Sequence, residues 1–308
     1  MFKAIFSRLL QSILVLFLLF TITFFLLRKL PGSPLLRDKA MPEHIAKKMA
    51  TYHGLDKPLI EQYGIQLGKY LQGDFGYSYR LEGKPVNDII AQAFPVSFQL
   101  GVIAMAIAIS IGIPAGCIAA ARKNGLIDNG TMAVAMLGIC LPSFVSGPIL
   151  AEWLGRKHHL MPAHGWDSLT PSTWILPAFT LGLAYAAYLS RLSRAGMLDM
   201  LSQDFVRTAH AKGVPGWKIL IRHCLRGGLI PAVAYIGPAF AGIISGSLVI
   251  ETVFQVPGLG RHFIKSIETR DYYVIQGVTM LFGALVIVAN FMTDVISVWL
   301  NPRLKAKS

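Results

Sequence analysis

The chain has 308 residues, of which 54% are hydrophobic and only 15% carry a charge. Its mean hydropathy of +0.53 excludes an ordinary soluble domain and favours a membrane protein. The net charge of +13 does not indicate nucleic-acid binding, because no DNA- or RNA-reading motif accompanies it and membrane proteins retain Lys and Arg in their cytoplasmic loops.

Six apolar segments follow one another along the chain. The first is uncharged over 19 residues, which as a helix would extend about 28 Å, enough to cross a hydrocarbon core. No signal-peptidase site follows it, so we expect it to be retained. The fifth is dense in Gly, Ala and Ser, which lets helix backbones approach closely. The sequence therefore predicts an all-α, polytopic membrane protein with six transmembrane helices, at residues 9–27, 97–121, 130–154, 173–190, 229–250 and 276–300.

The segments between these spans set the predicted orientation. Residues 28–96 form the longest loop, with short helices expected over 42–52 and 58–71, and a loop of this length is translocated regardless of its charge. With residues 28–96 set aside, the segments predicted to lie inside carry 14 Lys and Arg, and the two short segments predicted to lie outside carry 5. This bias places both termini in the cytoplasm and residues 28–96 outside it. The whole chain is predicted to be a single transmembrane domain.

A basic segment, residues 191–228, separates the fourth and fifth spans. Residues 204–231, which begin within this segment and end at Pro231, have the sequence DFVRTAHAKGVPGWKILIRHCLRGGLIP. This pattern predicts a short helix, a turn at residues 213–216 and a second short helix, because Pro215 cannot continue the first. This stretch contains five basic residues and one acidic residue, Asp204. A basic helix–turn–helix on the cytoplasmic side is expected to meet another protein.

Motifs of the common catalytic sites do not occur in these 308 residues. The patterns G-x-x-x-x-G-K-[ST], H-E-x-x-H and G-x-S-x-G are absent, so we expect no ATP hydrolysis by this chain and no enzyme. An intramembrane hydrolase would also need a nucleophile–base pair. The histidines His158, His159 and His164 are interpreted as polar surface rather than as metal ligands. No cofactor, metal or disulfide is predicted; the three cysteines have no zinc spacing.

Acidic residues in or near the spans are candidates for the substrate pathway, because charge inside a membrane is costly and usually faces protein or water. Glu152 is expected to be solvated near the outer interface. For Glu251, capping, an interhelical pair and substrate contact stay open, and for Asp294 we favour a structural pair. These carboxylates do not line one path, which argues against proton coupling. With two hydroxyls of the fifth span, the candidates are Glu152, Ser245, Ser247, Glu251 and Asp294.

The basic segment resembles the cytoplasmic coupling loop of bacterial ABC-importer permeases, whose pattern is E-A-A, three residues, Gly, nine residues and I-x-L-P. Relative to Gly213, residues 207–209 stand at the E-A-A positions, and His223 and Leu225 at the Ile and Leu positions. Arg207, His223 and Arg226 depart from the general pattern. The dipeptide/oligopeptide branch of the family shows these departures, with R-T-A-x-A-K-G followed by H-x-L.

Further motifs of that branch cover essentially the whole chain, which is most similar to the first, B-type permease of oligopeptide importers. One departure is Gly227, where many relatives have Asn, and we expect it to loosen the second short helix. The motifs are GLDKPL at 54–59, GDFGYS at 73–78, LPSF at 141–144, RLSR at 191–194, VIETVF at 249–254, PGLG at 257–260 and RDY at 270–272.

The resemblance implies the type I ABC-importer permease fold and a place in the bacterial cytoplasmic (inner) membrane. It implies a second, C-type permease, two cytoplasmic ATPases that hold ATP and Mg, and an extracytoplasmic peptide-binding protein as partners, besides membrane lipid. The implied function is oligopeptide import by alternating access. The residues that it assigns to ATPase coupling are Arg207, Thr208, Ala209, Ala211, Lys212, Gly213, Lys218, Arg222, His223 and Leu225.

Three alternatives stay open at this point. The same permease architecture serves other cargoes, namely dipeptides, nickel, antimicrobial peptides and glutathione. An autonomous secondary carrier would leave the coupling loop unexplained, and neither an inverted repeat nor a row of carboxylates supports it. The basic residues of the loop could also serve only to hold the topology of the chain.

Overall fold

A computed structural model of the chain describes residues 2–30, 51, 54–81, 83–167 and 170–300. The predicted all-α fold is confirmed: in the described residues the extended structure is a single bridge between Tyr77 and Pro85. Two π-helical turns, Ala151–Lys157 and Ile219–Cys224, directly follow the helices Ser143–Leu150 and Gly216–Lys218. The helices are α1 (Phe2–Lys29), α2 (Leu59–Leu71), α3 (Val86–Ala121), α4 (Leu126–Cys140), α5 (Ser143–Leu150), α6 (Ser172–Leu201), α7 (Asp204–Ala211), α8 (Gly216–Lys218), α9 (Leu225–Gly228), α10 (Ile230–Val253), α11 (Leu259–Thr269) and α12 (Tyr272–Leu300).

Five of the described helices contain a stretch long and apolar enough to cross a membrane. A sixth crossing forms if α4, α5 and the following π turn count as one broken span, which is bent by 103°. The bend lies at Leu141-Pro142, where proline removes a backbone donor and Leu141 is extended. The five stretches are Leu10–Lys29, Val86–Ala121, Ser172–Leu201, Ile230–Val253 and Tyr272–Thr293.

Two helices extend eleven residues beyond one end of the apolar segments that predicted them. Helix α3 begins at Val86, eleven residues before the predicted start at 97, because Val86, Ile89, Ile90 and Ala93 form a buried stripe at helical spacing. Helix α6 continues past 190 to Leu201. In both cases polar residues on the opposite face end the uncharged run without ending the helix.

The long polar segment 28–96 is partly described. Of its two predicted short helices, the one over 58–71 is present as α2, and the one over 42–52 lies outside the described residues apart from position 51. The described backbone divides into two compact units, unit 1 with residues 1–96 and 257–284 and unit 2 with residues 97–256 and 285–308.

In unit 1, polar side chains are enclosed between α1, α2 and the start of α12. The guanidinium of Arg28 donates to the side-chain oxygens of Gln62 and Gln66, each at 3.0 Å, and lies 3.6 Å from the ring centre of Phe24. Gln66 donates in turn to Gln276 at 3.0 Å. Arg28 therefore fastens α2 to α1, which explains a basic residue directly after the first apolar segment.

A buried carboxylate organises the motifs at 73–78 and 270–272 in unit 1. Asp271 is 3% exposed; it accepts hydrogen bonds from the Ser78 hydroxyl and from the Tyr79 backbone N–H at 3.1 Å. Burial raises the pKa of Asp271, and these hydrogen bonds oppose that rise. The side chains of Tyr79 and Tyr272 pack beside it in one cluster. The two motifs thus meet around one residue.

Unit 2 is held together by helices that cross at backbone contact distance. A Cβ at Gly112 or Gly116 of α3 would collide with the carbonyl oxygens of Ala186 or Ser190 of α6. In α10, a Cβ at Gly237 would lie 2.7 Å from the Ala289 carbonyl oxygen of α12. Close approach at the small residues of the fifth span, expected from the sequence, is confirmed at Gly237.

Candidate functional site

The basic helix–turn–helix is present where the sequence predicts it. Helix α7 is followed by a turn over 212–215, and the second helical part consists of α8, the π turn Ile219–Cys224 and α9. Pro215 caps this part: its carbonyl oxygen accepts from Lys218 at 2.9 Å and from Ile219 at 3.2 Å.

The turn is a Schellman motif centred on a glycine. Gly213 has a φ of 75° and donates to the His210 carbonyl at 2.9 Å, while Val214 donates to the Ala209 carbonyl at 3.1 Å. A left-handed residue at this position ends α7 and reverses the chain, and glycine adopts it without strain. Among the described residues, a Cβ at Gly213 would meet no atom within 4 Å, so its backbone faces open space.

One face of the helix–turn–helix packs against the ends of α3 and α6. Ala209 and Leu225, two of the predicted coupling residues, lie on this face and are partly buried. A Cβ at Gly196 of α6 would collide with the Gly228 carbonyl oxygen, so the two backbones touch there. The element is thus fixed to the helix that precedes it. The buried members of the cluster are Cys117, Ala120, Met197, Val206, Ile219 and Cys224.

The opposite face is exposed and combines basic with large apolar side chains; we call it the outer surface. Trp217 is 63% and Ile221 58% exposed, and Lys218 Nζ lies 5.5 Å from the Trp217 ring centre. Aromatic and basic groups of this kind dominate binding energy at protein interfaces. The predicted coupling residues exposed in this element are Arg207, Thr208, Ala211, Lys212, Gly213, Lys218, Arg222 and His223.

The substrate-pathway candidates do not form one site in the described contacts. Ser247 and Glu251, both fully buried, lie one turn apart in α10, and the Ser247 hydroxyl donates to Glu251 at 2.6 Å. Ser245 donates instead to the Ala241 carbonyl at 2.9 Å. Glu152 is 65% exposed and pairs with Arg156 at 3.4 Å. The side chain of the fifth candidate, Asp294, lies outside the described residues.

His158, His159 and His164 are exposed and follow the π turn Ala151–Lys157. Within the described ranges, no three His, Cys, Asp or Glu side chains are arranged to share an ion. His158 stacks edge-on against Trp153, with ring centres 5.1 Å apart.

A buried ion pair between α4 and α6 was missed at the sequence level. Arg194 Nε lies 2.5 Å from Asp128 Oδ1, and the Asp128 side chain is fully buried. The motif RLSR at 191–194 contained one partner. Asp128, however, is separated from it by 66 residues, and only the folded chain brings the two together.

Two sequence profiles match the chain. The profile described as "Binding-protein-dependent transport system inner membrane component" matches residues 112–306, and that of the N-terminal part of such a membrane component matches residues 1–101.

Similar relatives span the full length of the chain. The oligopeptide transport system permease protein OppB of Haemophilus influenzae is 40% identical over 305 residues, covering 99% of this chain and 100% of that protein. OppB of Escherichia coli K12 is 39% identical with the same coverage. The dipeptide transport system permease protein DppB of Bacillus subtilis is 39% identical over 285 residues, covering 92% of each.

Solved structures share the fold at low identity. A chain of the inward-facing MetNI methionine ABC transporter superposes with a TM-score of 0.58 at 16% identity, covering 69% of this chain and 96% of that one. A chain of an amino acid ABC transporter gives a TM-score of 0.52 at 13% identity, covering 68% and 94%. These likenesses concern the fold alone.

Proposed function

Because the chain belongs to the family of inner membrane components of binding-protein-dependent transport systems, we propose that it is the permease subunit of an ATP-driven importer of oligopeptides. The predicted type I ABC-importer permease fold is confirmed by the structural likenesses. The chain is an integral inner-membrane protein of the permease kind rather than a catalytic subunit. Its termini face the cytoplasm in our proposal, on the charge bias of its loops.

The observation that carries the proposal is the outer surface of the helix–turn–helix. The buried face of the helix–turn–helix contacts α3 and α6, while Trp217, Ile221 and the basic residues of its outer surface are exposed. A rigid element with an exposed aromatic and basic face is suited to docking in a groove of another protein. We assign it to the cytoplasmic ATPase subunits, since the chain matches the family's coupling pattern there.

The proposed complex contains four further subunits. A second, C-type permease completes the membrane pathway, two ATPases bind ATP and Mg, and an extracytoplasmic binding protein delivers the peptide. ATPase closure would move the helix–turn–helix as a rigid body. Since its apolar face is continuous with the inner ends of α3 and α6, these helices follow and the pathway alternates between its inward- and outward-open states.

Charge reversal on the outer surface tests this function. In the complex reconstituted with its binding protein and a labelled peptide, Arg222→Glu is expected to reduce ATPase co-purification, stimulated ATP hydrolysis and uptake together. The matched control is Arg261→Glu, the same reversal at an exposed arginine of α11, which should leave ATPase co-purification unchanged. Undiminished uptake by Arg222→Glu, with normal stimulation, would make the loop a topology anchor and overturn the proposal.

A second cargo is supported by the relatives. The dipeptide permease of Bacillus subtilis is 39% identical to this chain, beside 40% for the oligopeptide permease of Haemophilus influenzae. Competition between labelled tetra- to hexapeptides and unlabelled dipeptides in the same vesicles separates the two. If dipeptides saturate uptake and longer peptides do not, the dipeptide assignment replaces the oligopeptide one.

A further inference from the structure

The ion pair between Asp128 and Arg194 has no place in the proposed function so far. The guanidinium donates through Nε to Asp128 Oδ1 at 2.5 Å and through Nη2 to Oδ2 at 2.8 Å. The backbone N–H of Asn124 donates to Oδ2 at 2.8 Å as well. Asp128 is fully buried and the Arg194 side chain is 25% exposed. Two parallel hydrogen bonds of this kind fix the orientation of one helix against the other.

Helix α4 packs against α6 but buries few of its own side chains. Its buried residues are Asp128 and Ala135, and a groove of about 310 Å³ is lined by residues of α3, α4 and α6. Near the other end, a Cβ at Gly138 would lie 3.1 Å from Ala187. The bidentate ion pair is therefore the polar contact that fixes the first turn of α4 against α6.

Each partner of the pair leads to a different part of unit 2. Arg194 is one turn before Met197, which is fully buried in the cluster beneath the helix–turn–helix. Asp128 begins α4, which continues through the bend into α5. There a Cβ at Gly147 would lie 3.4 Å from Ile250 of α10. The pair therefore joins the helix–turn–helix to the bent span.

We propose that Asp128 and Arg194 form the joint through which α4 follows the helix–turn–helix during transport. Both are positioning residues. The inference rests on the proposed function: when the ATPases displace the helix–turn–helix, α6 moves with it, and the bidentate pair carries the start of α4 along. Without the joint, ATP hydrolysis continues while α4 lags, so less peptide moves per ATP.

A distance measurement tests the joint independently of transport. Spin labels are placed at Val134→Cys, on an exposed part of α4, and at Ser202→Cys, after the end of α6, with Cys140→Ser to remove the exposed native cysteine. In the assembled complex, the parent chain should show one narrow distance both with and without nucleotide. Asp128→Asn should broaden that distribution, and Arg194→Lys, which keeps the charge but not the fork, should broaden it less.

Uptake per ATP hydrolysed provides the functional readout. In assembled complexes, Asp128→Asn should lower this ratio by roughly tenfold, a coupling effect within the usual range, while binding-protein-stimulated hydrolysis persists. The control is Glu61→Gln, which breaks the exposed pair with Lys57 at 2.6 Å and should leave the ratio unchanged.

The double variant Asp128→Asn/Arg194→Gln guards against misfolding, since it leaves no unpaired buried charge. If it assembles and retains a narrow distance and the parent's uptake per ATP, the joint is overturned. If the distance broadens although no variant of the chain, including the parent, imports peptide, the joint stands and the proposed function falls. Broadening together with a lowered ratio supports both.

Discussion

The helix–turn–helix and the polar interior of unit 1 use charged residues in opposite ways. In the first, Arg207 and Asp204 lie 3.5 Å apart with side chains 80% and 95% exposed, a pair that contributes little to stability. In the second, Asp271 is 3% exposed and is fully engaged by Ser78 and Tyr79. Exposed basic groups beside exposed aromatic groups are available to bind a partner, whereas buried charged groups with hydrogen-bond partners stabilise the fold. Burial and hydrogen bonding, not charge alone, separate the two roles.

The largest expected effect is at the architectural side of this comparison. Asp271→Ala leaves two buried donors without an acceptor, which should destabilise the folded chain by about 3 kcal/mol. Thermal unfolding of the detergent-solubilised protein measures this loss, with the exposed Asp56→Ala as control. An equal melting temperature for Asp271→Ala and the parent would contradict the structural role.

On the docking side, Trp217→Ala should spare stability and weaken ATPase binding. The ring is 63% exposed, so its removal costs the isolated chain little, whereas an aromatic anchor contributes about 2 kcal/mol to an interface, roughly 30-fold in dissociation constant. Titration of the ATPase against membranes measures this change. The control is Leu160→Ala, which removes an exposed apolar side chain from the loop before α6. Equal effects of the two variants would refute the assignment.

Gly213 separates backbone strain from partner contact. At a φ of 75°, alanine costs about 1 kcal/mol, whereas asparagine tolerates the left-handed region better. If strain alone matters, Gly213→Asn should couple nearly as well as the parent and Gly213→Ala less well. If a partner backbone approaches Gly213, both variants should lose stimulated hydrolysis equally. Stimulation of ATPase activity by loaded binding protein distinguishes the two results.

The smallest effect is the pH dependence of Asp271. Its pKa in the folded chain is raised by burial, so the folded state favours the protonated carboxyl. This contribution to stability is fully present below the ordinary pKa of aspartate and is lost as the pH rises through the raised value. The melting-temperature advantage of the parent over Asp271→Asn should therefore shrink as the pH rises above about 4. An advantage that grows over this range would mean that the pKa is lowered instead.

Local patterns in the sequence predicted the helical fold, the apolar spans and the helix–turn–helix. The uncharged runs and the helix-breaking residues Gly213 and Pro215 can be recognised in short stretches of sequence. The exposure of the basic residues follows from the helix–turn–helix that these breaks predict. Two helices continue beyond the uncharged run with one buried and one polar face, from Val86 in α3 and to Leu201 in α6. A prediction from uncharged runs alone makes these helices too short.

Features that depend on distant residues were not predictable. The ion pair of Asp128 with Arg194 and the contact of Ser78 with Asp271 join positions 66 and 193 residues apart. Each of these residues alone resembles an ordinary polar residue. Pro142 interrupts the third apolar segment in the sequence, but the bend of 103° there depends on packing in the fold.

The most direct test of the central claim is a photo-cross-link from the outer surface. A photoreactive amino acid at Trp217 in the assembled complex should form a covalent product with an ATPase subunit, identified by mass spectrometry, while the same group at Leu160 should not. If the group at Trp217 cross-links only lipid or water while the ATPases co-purify, then the ATPases dock elsewhere and the helix–turn–helix is not the coupling element.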